Sequence, residues 1–270
     1  SSDVCSSDLM RAIQGDRQMR PIVSVIALPL IVGSLLMTAS AASAVQRETQ
    51  EEKETNYKRQ QQGGLFQKWT FDQDKPNEVP AGFAGLSSNS QQATWTIQPD
   101  ATAPSSPNAV TASASCEAGP CYRLLIAQGL NYEYPDLTVR FRVTDGKPAS
   151  GGMVFGVKDA GNFYAAVVDV AGKFAQVVRV VDGQETVLGQ APVKLKPVDW
   201  HTLRVQRNTI ISKDFIETFV DGVLVLSVED QTLGLGQVGL LLTGSSMLAF
   251  DNFHAVPLFS HRPMSPPAAY

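Results

Sequence analysis

Residues 163–183 read FYAAVVDVAGKFAQVVRVVDG, two apolar runs separated by a short turn segment and closed by Asp182-Gly183. Valine and aromatic residues dominate both runs, a composition typical of β-strands. Asp-Gly supplies the positive φ angles that a two-residue hairpin turn requires. Both runs are largely apolar at odd and even positions, which is typical of strands covered on both faces or facing a groove. The segment therefore predicts two adjacent central strands.

The same pattern of short strands and tight turns continues over residues 136–256, with no convincing amphipathic helix. Further breaks lie at Asp145-Gly146, Asp159-Ala160-Gly161 and Asp221-Gly222. The predicted strands are Leu137–Val143, Met153–Val157, Phe163–Val170, Phe174–Val181, Glu185–Leu188, Thr202–Arg207, Phe215–Val220, Leu224–Val228, Gln237–Leu242 and Leu248–His254. Such a series predicts an all-β, antiparallel sandwich.

Upstream, the sequence predicts strands at Trp69–Asp72, Ala93–Ile97, Ala109–Ala114 and Tyr122–Ala127, with a loop-rich segment over residues 74–92. Strict alternation of apolar and polar residues in the segments 137–143 and 202–206 assigns their faces. The predicted core residues are Leu137, Val139, Phe141, Trp200, Leu203, Val205 and Phe250.

The first 44 residues are set apart from the fold. Residues 1–18 contain Ser-Ser-Asp twice and are predicted to be non-native or upstream sequence. Residues 19–44 combine Arg20, an apolar run and Ala42-Ser43-Ala44, which predicts a signal peptide cleaved after Ala44. Export to the periplasm or medium follows, with no stable membrane span after cleavage. An uncleaved membrane anchor is the alternative.

The remaining chain divides into three parts. Residues 45–64 are Gln-rich and predict a flexible linker, residues 65–257 the sandwich domain, and residues 258–270 a Pro-rich tail. Cys116 and Cys121 are separated by four residues. In an oxidising compartment, this spacing predicts a disulfide that closes a small loop.

Several function classes find no support. The formal net charge of −4 gives no electrostatic footprint for nucleic acid. Gly234 to Gly239 match G-x-G-x-x-G, but a strand pattern follows where a dinucleotide site needs a helix. The chain has no G-x-S-x-G motif, and its three histidines are scattered. No catalytic residue is assigned, although a carboxylate pair from separate strands stays an alternative.

Seven residues are candidates for a binding surface on a concave sheet. Arginine and aspartate provide planar donors and acceptors suited to sugar hydroxyls, and an aromatic ring can stack on a sugar. The alternative is that the arginines are solvated or pair with acids on neighbouring strands. The candidates are Arg140, Arg142, Tyr164, Asp169, Gln176, Arg179 and Arg204.

Three groups of segments resemble concanavalin A-like, laminin-G-like jelly rolls of the secreted bacterial type, similar to 3-keto-disaccharide hydrolase-like domains. These segments are residues 151–164, then 200–205 with 219–222, and 236–240 with 250–253, where Phe250-Asp251-Asn252-Phe253 matches the closing motif. The resemblance implies a jelly-roll sandwich of two antiparallel sheets.

For function, the resemblance implies a non-catalytic, lectin-like module that binds polysaccharide or a cell-surface glycan. The alternatives are a secreted glycoside hydrolase and a structural interaction domain. The alternating acids of sandwich glucanases are absent from the sequence. No cofactor is expected, with calcium as an open alternative because some laminin-G relatives bind it. Asp159 and Asn162 are the candidate calcium ligands.

Overall fold

The computed structural model describes residues 65–87, 93–114, 121–144, 149–196 and 198–258. In these ranges the regular secondary structure consists of fifteen strands. They are β1 (Gln67–Trp69), β2 (Phe83–Ser87), β3 (Thr94–Pro99), β4 (Asn108–Ser113), β5 (Tyr122–Ala127), β6 (Pro135–Val143), β7 (Ser150–Asp159), β8 (Asn162–Asp169), β9 (Phe174–Val181), β10 (Gln184–Pro192), β11 (His201–Ile210), β12 (Lys213–Val220), β13 (Val223–Glu229), β14 (Gln237–Thr243) and β15 (Met247–Pro257). The described ranges contain no helix that is long and apolar enough to cross a membrane.

The strands form two antiparallel sheets. Sheet A has the order β13-β12-β11-β6-β15-β4-β3, and β1 also pairs with β15. Sheet B has the order β10-β9-β8-β7-β14-β5-β2. Seven of the thirteen strand pairings join strands that are not consecutive in the sequence, as in a jelly roll. The predicted all-β sandwich of two antiparallel sheets is confirmed.

The main core lies between the sheets. Along β6, buried and half-buried residues alternate over its whole length, as the sequence pattern predicts. Six of the seven predicted core residues are at most 3% exposed. The prediction for Trp200 is wrong: this residue is only half-buried. It precedes β11 and so lies outside the alternating part of that strand.

The Asp-Gly turns have the predicted backbone conformation. Asp182 and Gly183 have φ angles of 51° and 75°, and Asp221 and Gly222 have φ angles of 49° and 81°. These values fit the two-residue turns that join β9 to β10 and β12 to β13. The Asp145-Gly146 break lies outside the described residues.

The glycine-rich segment Gly234 to Gly239 leads directly into β14, as predicted. A Cβ atom on Gly239 would lie 2.1 Å from the Leu125 carbonyl oxygen, so this glycine permits the close approach of β5.

Two predictions for the segment before β3 need correction. The segment 74–92 contains β2, and the first strand ends at Trp69 because Phe71 has a φ angle of 62°.

The predicted upstream segment, signal peptide and linker lie outside the described residues, as does the predicted tail beyond Leu258. Cys116 also lies outside them, so its disulfide with Cys121 stays a prediction. Cys121 itself is buried immediately before β5.

Candidate functional site

The structure divides the seven candidate binding residues between the two sheets. The prediction that these residues share one concave surface is therefore wrong. Sequence alternation assigns a side chain to one face of its strand, but it does not say which strands share a sheet. Arg140, Arg142 and Arg204 lie on sheet A, whereas Tyr164, Asp169, Gln176 and Arg179 lie on sheet B.

Arg142 and Arg140 fix the loop segments next to the outer face of sheet A. The Arg142 guanidinium lies 2.5 Å from the Asp100 carboxylate, and it also sits 5.0 Å from the centre of the Trp200 ring. Arg140 Nη2 donates a hydrogen bond to the Trp200 carbonyl oxygen at 3.1 Å. Both arginines thus have intramolecular partners that explain their position.

Arg204 is also engaged. Its Nε and Nη2 donate to the two carboxylate oxygens of Asp136 at 2.8 and 2.6 Å, and its guanidinium lies 5.2 Å from the Phe219 ring centre. The hydrogen bond from Arg204 to Asp136 raises the pKa of this guanidinium further. Arg204 therefore matches the cross-strand pairing alternative, whereas Arg142 pairs with an acid in a loop and Arg140 bonds to a backbone carbonyl.

Tyr164 and Arg179 point toward sheet A and connect to the segment after β13. The Tyr164 hydroxyl donates to Asp230 and accepts a bond from the Leu233 backbone N–H at 2.9 Å. Arg179 Nη1 lies 2.5 Å from Asp230 Oδ2. Tyr164 is fully buried, and this burial raises its pKa. The two side chains hold this segment in place and do not form an open surface.

A buried ion pair lies close to these residues. Arg207 and Asp214 are 2.7 Å apart, with side chains only 1% and 4% exposed. The Arg207 guanidinium is also within 6 Å of the ring centres of Tyr134 and Tyr164. Because removal of one partner leaves a buried charge uncompensated, this pair is a sensitive structural element.

Asp169 and Gln176 lie on the outer face of sheet B, which is concave. On this face the Tyr122 hydroxyl donates to the carboxylate of Glu185. Tyr122 is on β5 and Glu185 is on β10, five strands away. In a flat sheet these strands would be about 24 Å apart, given a spacing of about 4.8 Å. The contact therefore requires sheet B to coil toward its outer face.

The coiled face has an apolar core of its own. The Tyr122 and Phe163 rings meet edge to face at 5.3 Å between their centres. Strands β8 and β9 are thus buried on both faces, as their sequence indicates. The buried members of this second cluster are Tyr122, Leu124, Ile126, Val154, Val157, Phe163, Ala165, Val167, Val178, Val180 and Leu241.

A cavity of about 340 Å³ opens beside this cluster. Its described lining combines an aromatic ring, an amide, hydroxyl groups and two carboxylates, with small residues around Gly244. The polar side chains that matter here are Tyr122, Ser150, Asp169, Gln176, Glu185 and Thr243. We refer to this cavity as the concave pocket.

Within the pocket, the two acids are held differently. Asp169 Oδ1 accepts a hydrogen bond from the Gly172 backbone N–H at 2.5 Å, while Glu185 accepts from Tyr122. Burial, followed by the interaction with Glu185, raises the pKa of Tyr122. The tyrosine hydroxyl therefore stays a hydrogen-bond donor over the physiological pH range.

Sequence reasoning found Asp169 and Gln176 but missed Tyr122, Ser150 and Glu185. The available signal was the apolar character of β5 and β8 on both faces, which indicates a groove. That signal does not reveal which polar residues at the ends of the strands surround the groove.

The two calcium candidates bond to each other. Asp159 Oδ1 accepts from the Gly161 backbone N–H at 2.7 Å, and Asn162 Nδ2 lies 3.0 and 3.1 Å from the two Asp159 oxygens. This is the arrangement of a closed turn. The described ranges hold no cluster of three or more His, Cys, Asp or Glu suited to a metal ion. Calcium binding stays an open alternative.

A buried acid lies on β15, remote from the concave pocket in sequence and on the other sheet. Asp251 accepts hydrogen bonds from the backbone N–H groups of Ser105 and Asn252, both at 2.6 Å. Burial raises the pKa of Asp251 to about 6, and the nearby charge of Asp72 contributes, while Arg140 opposes the increase. This carboxyl therefore titrates near neutral pH.

No protein family model matches the chain, and no curated protein matches it. Among solved structures, the carbohydrate binding module CBM66 from Bacillus subtilis is 17% identical, with a TM-score of 0.50. That match covers 65% of this chain and 95% of the module. Cellulose induced protein, Cip1, is 10% identical with a TM-score of 0.51, and the match covers 71% and 98%. Together with the two antiparallel sheets, these matches confirm the concanavalin A-like jelly-roll fold.

Proposed function

We propose that this chain is a non-catalytic, lectin-like module that binds carbohydrate in the concave pocket. The observation that carries the proposal is the pocket lining, where Tyr122, Gln176 and two carboxylates meet. Sugar hydroxyls both donate and accept hydrogen bonds, so they match amide and carboxylate groups. The cavity volume also falls in the range of about 300–1,000 Å³ that is usual for small-molecule sites.

The fold supports the same proposal in a general way, because a carbohydrate binding module shares it. The pocket also replaces the arginine surface as the site of choice, since the sheet A arginines already have intramolecular partners. The expected ligand is a polysaccharide or a cell-surface glycan.

A glycan panel tests the proposal on the full chain and on two single variants, Gln176→Ala and Glu185→Ala. We expect binding to the panel by the unchanged protein and at least a tenfold weaker affinity in each variant, about 1.4 kcal/mol. The double variant Arg140→Ala, Arg142→Ala is the control on the other sheet. Binding that is lost in the control and kept in both pocket variants would return the site to the arginines.

Glycoside hydrolysis is the second candidate, because two carboxylates line the same pocket. A glycosidase uses one carboxylic acid as proton donor and a second carboxylate as nucleophile or base. Proton donors of this type are typically enclosed by apolar surroundings, whereas Glu185 is exposed. Release of reducing ends from any bound oligosaccharide, lost in Asp169→Asn, would establish the enzyme over the lectin-like module.

We also propose that the protein is exported and cleaved after Ala44, on the pattern of residues 19–44. N-terminal sequencing of protein recovered from the periplasm or the medium tests this point. A recovered chain that still contains residues 19–44 would contradict it.

A further inference from the structure

We infer that the concave pocket prefers sugars that carry a protonated amine, such as glucosamine units, to neutral sugars of the same size, and that it disfavours anionic sugars. This inference rests on the proposed carbohydrate binding and specifies its ligand class. Its basis is the charge of the pocket.

The described lining of the pocket contains two acids and no Lys, Arg or His. Asp169 comes from β8 and Glu185 from β10. Neither carboxylate forms an ion pair with a described residue, in contrast to Asp100, Asp136, Asp214 and Asp230 elsewhere in the sandwich. The described lining therefore places two negative charges in one cavity, with no cation among the described residues that line it.

Each carboxylate also retains hydrogen-bonding capacity. Asp169 uses Oδ1 for the Gly172 N–H, and Glu185 uses Oε2 for the Tyr122 hydroxyl. No described residue bonds to Asp169 Oδ2 or Glu185 Oε1. An ammonium group is a donor with three protons and a positive charge, so it matches both the accepting capacity and the charge of these oxygens.

Electrostatics then separates three classes of sugar. A cleft lined by one sign of charge concentrates ligands of the opposite sign and repels ligands of the same sign. A protonated aminosugar gains this attraction, an N-acetylated sugar neither gains nor loses it, and a uronic acid or sulfated sugar is repelled. Half-buried Asp169 is screened less by solvent than a fully exposed acid.

The test compares two oligosaccharides of equal length, a glucosamine oligomer with its amines protonated and its N-acetylated counterpart. Isothermal titration calorimetry on the full chain measures both affinities with EDTA present, and a parallel titration omits EDTA. We expect the glucosamine oligomer to bind about threefold to tenfold more tightly, in line with the energies of partly exposed ion pairs. Raising the salt concentration to about 1 M should remove most of this difference.

Charge-neutral variants test whether the two carboxylates cause the preference for the glucosamine oligomer. Asp169→Asn and Glu185→Gln keep the shape of each side chain, so each should weaken binding of the glucosamine oligomer and leave the acetylated oligomer within about twofold. Asp199→Asn removes the same charge from an exposed position before β11 and serves as the control. It should change neither affinity.

The outcomes separate the two proposals. Equal affinity for both oligomers would overturn the amine preference and leave carbohydrate binding intact. Binding to neither oligomer nor to any other glycan would overturn carbohydrate binding itself. Binding that appears only when EDTA is omitted would show that a metal ion occupies the carboxylates, and this result would also overturn the amine preference.

Discussion

Asp251→Asn should reveal a pH-dependent cost of the buried carboxylate on β15. The folded protein raises the pKa of Asp251 from its ordinary value of 3.8 to about 6, mainly through burial. Each pKa unit corresponds to about 1.36 kcal/mol, so the difference of about two units amounts to about 3 kcal/mol. Because the folded-state pKa is raised, this cost is absent below about pH 4, grows as the pH rises from about 4 to about 6, and is complete above that range.

The assay is urea denaturation of the unchanged protein and of Asp251→Asn at several pH values between about 4 and 8. The asparagine side chain is neutral at every pH. It offers only one oxygen to the N–H groups of Ser105 and Asn252, which lowers the free energy of unfolding of the variant by about 1 kcal/mol at every pH. Relative to the variant, the unchanged protein should therefore lose about 3 kcal/mol of stability from pH 4 to pH 8.

Asp199→Asn is the matched control, because it removes an exposed carboxylate that forms only a long ion pair of 3.8 Å. Its stability curve should run parallel to that of the unchanged protein. If the curves of Asp251→Asn and the unchanged protein were also parallel, the carboxylate of Asp251 would have to be compensated in the folded state, and the reasoning from burial would be refuted.

Other substitutions test the core and the covalent link. Phe141→Ala should cost about 3–5 kcal/mol in chemical denaturation, since Phe141 is 3% exposed, and a loss below about 1 kcal/mol would contradict its core position. Asp214→Ala should cost about 3–5 kcal/mol because Arg207 stays buried and charged, whereas the added change Arg207→Met should restore part of that loss. Thiol titration of the denatured, unreduced protein should find Cys116 and Cys121 oxidised, and two free thiols there would exclude the disulfide.

The strands and their faces followed from local pattern. Alternation in β6 and β11 placed Leu137 and Leu203 in the core and their polar neighbours outside, because successive side chains on a strand point to opposite faces. The Asp182-Gly183 turn was equally predictable, since its positive φ angles have a direct sequence signature. Trp200 was misplaced because it lies before its strand, where alternation no longer applies.

The site was less predictable, because it depends on the order of strands and on the coiling of a sheet. Tyr122 and Glu185 are separated by 63 residues in the chain, and their contact spans five strands of sheet B. No local pattern carries such information. Conversely, Arg204 was placed correctly on a polar face, but its pairing with Asp136 became evident only from the register of β11 on β6.

The two apolar faces of sheet B have a consequence for how the chain reaches its native pairing. A slip of one residue between β6 and β11 would push Arg140 and Arg204 into the core, so the hydrophobic pattern itself rejects that error. Between β8 and β9 the same slip exchanges one apolar row for another and is opposed far less strongly. Correct alignment there depends on the connections between strands. The segment 170–173, in which the Gly172 N–H bonds to Asp169, thus fixes the register of β8 and β9, and changes to its length should produce misaligned, aggregation-prone hairpins.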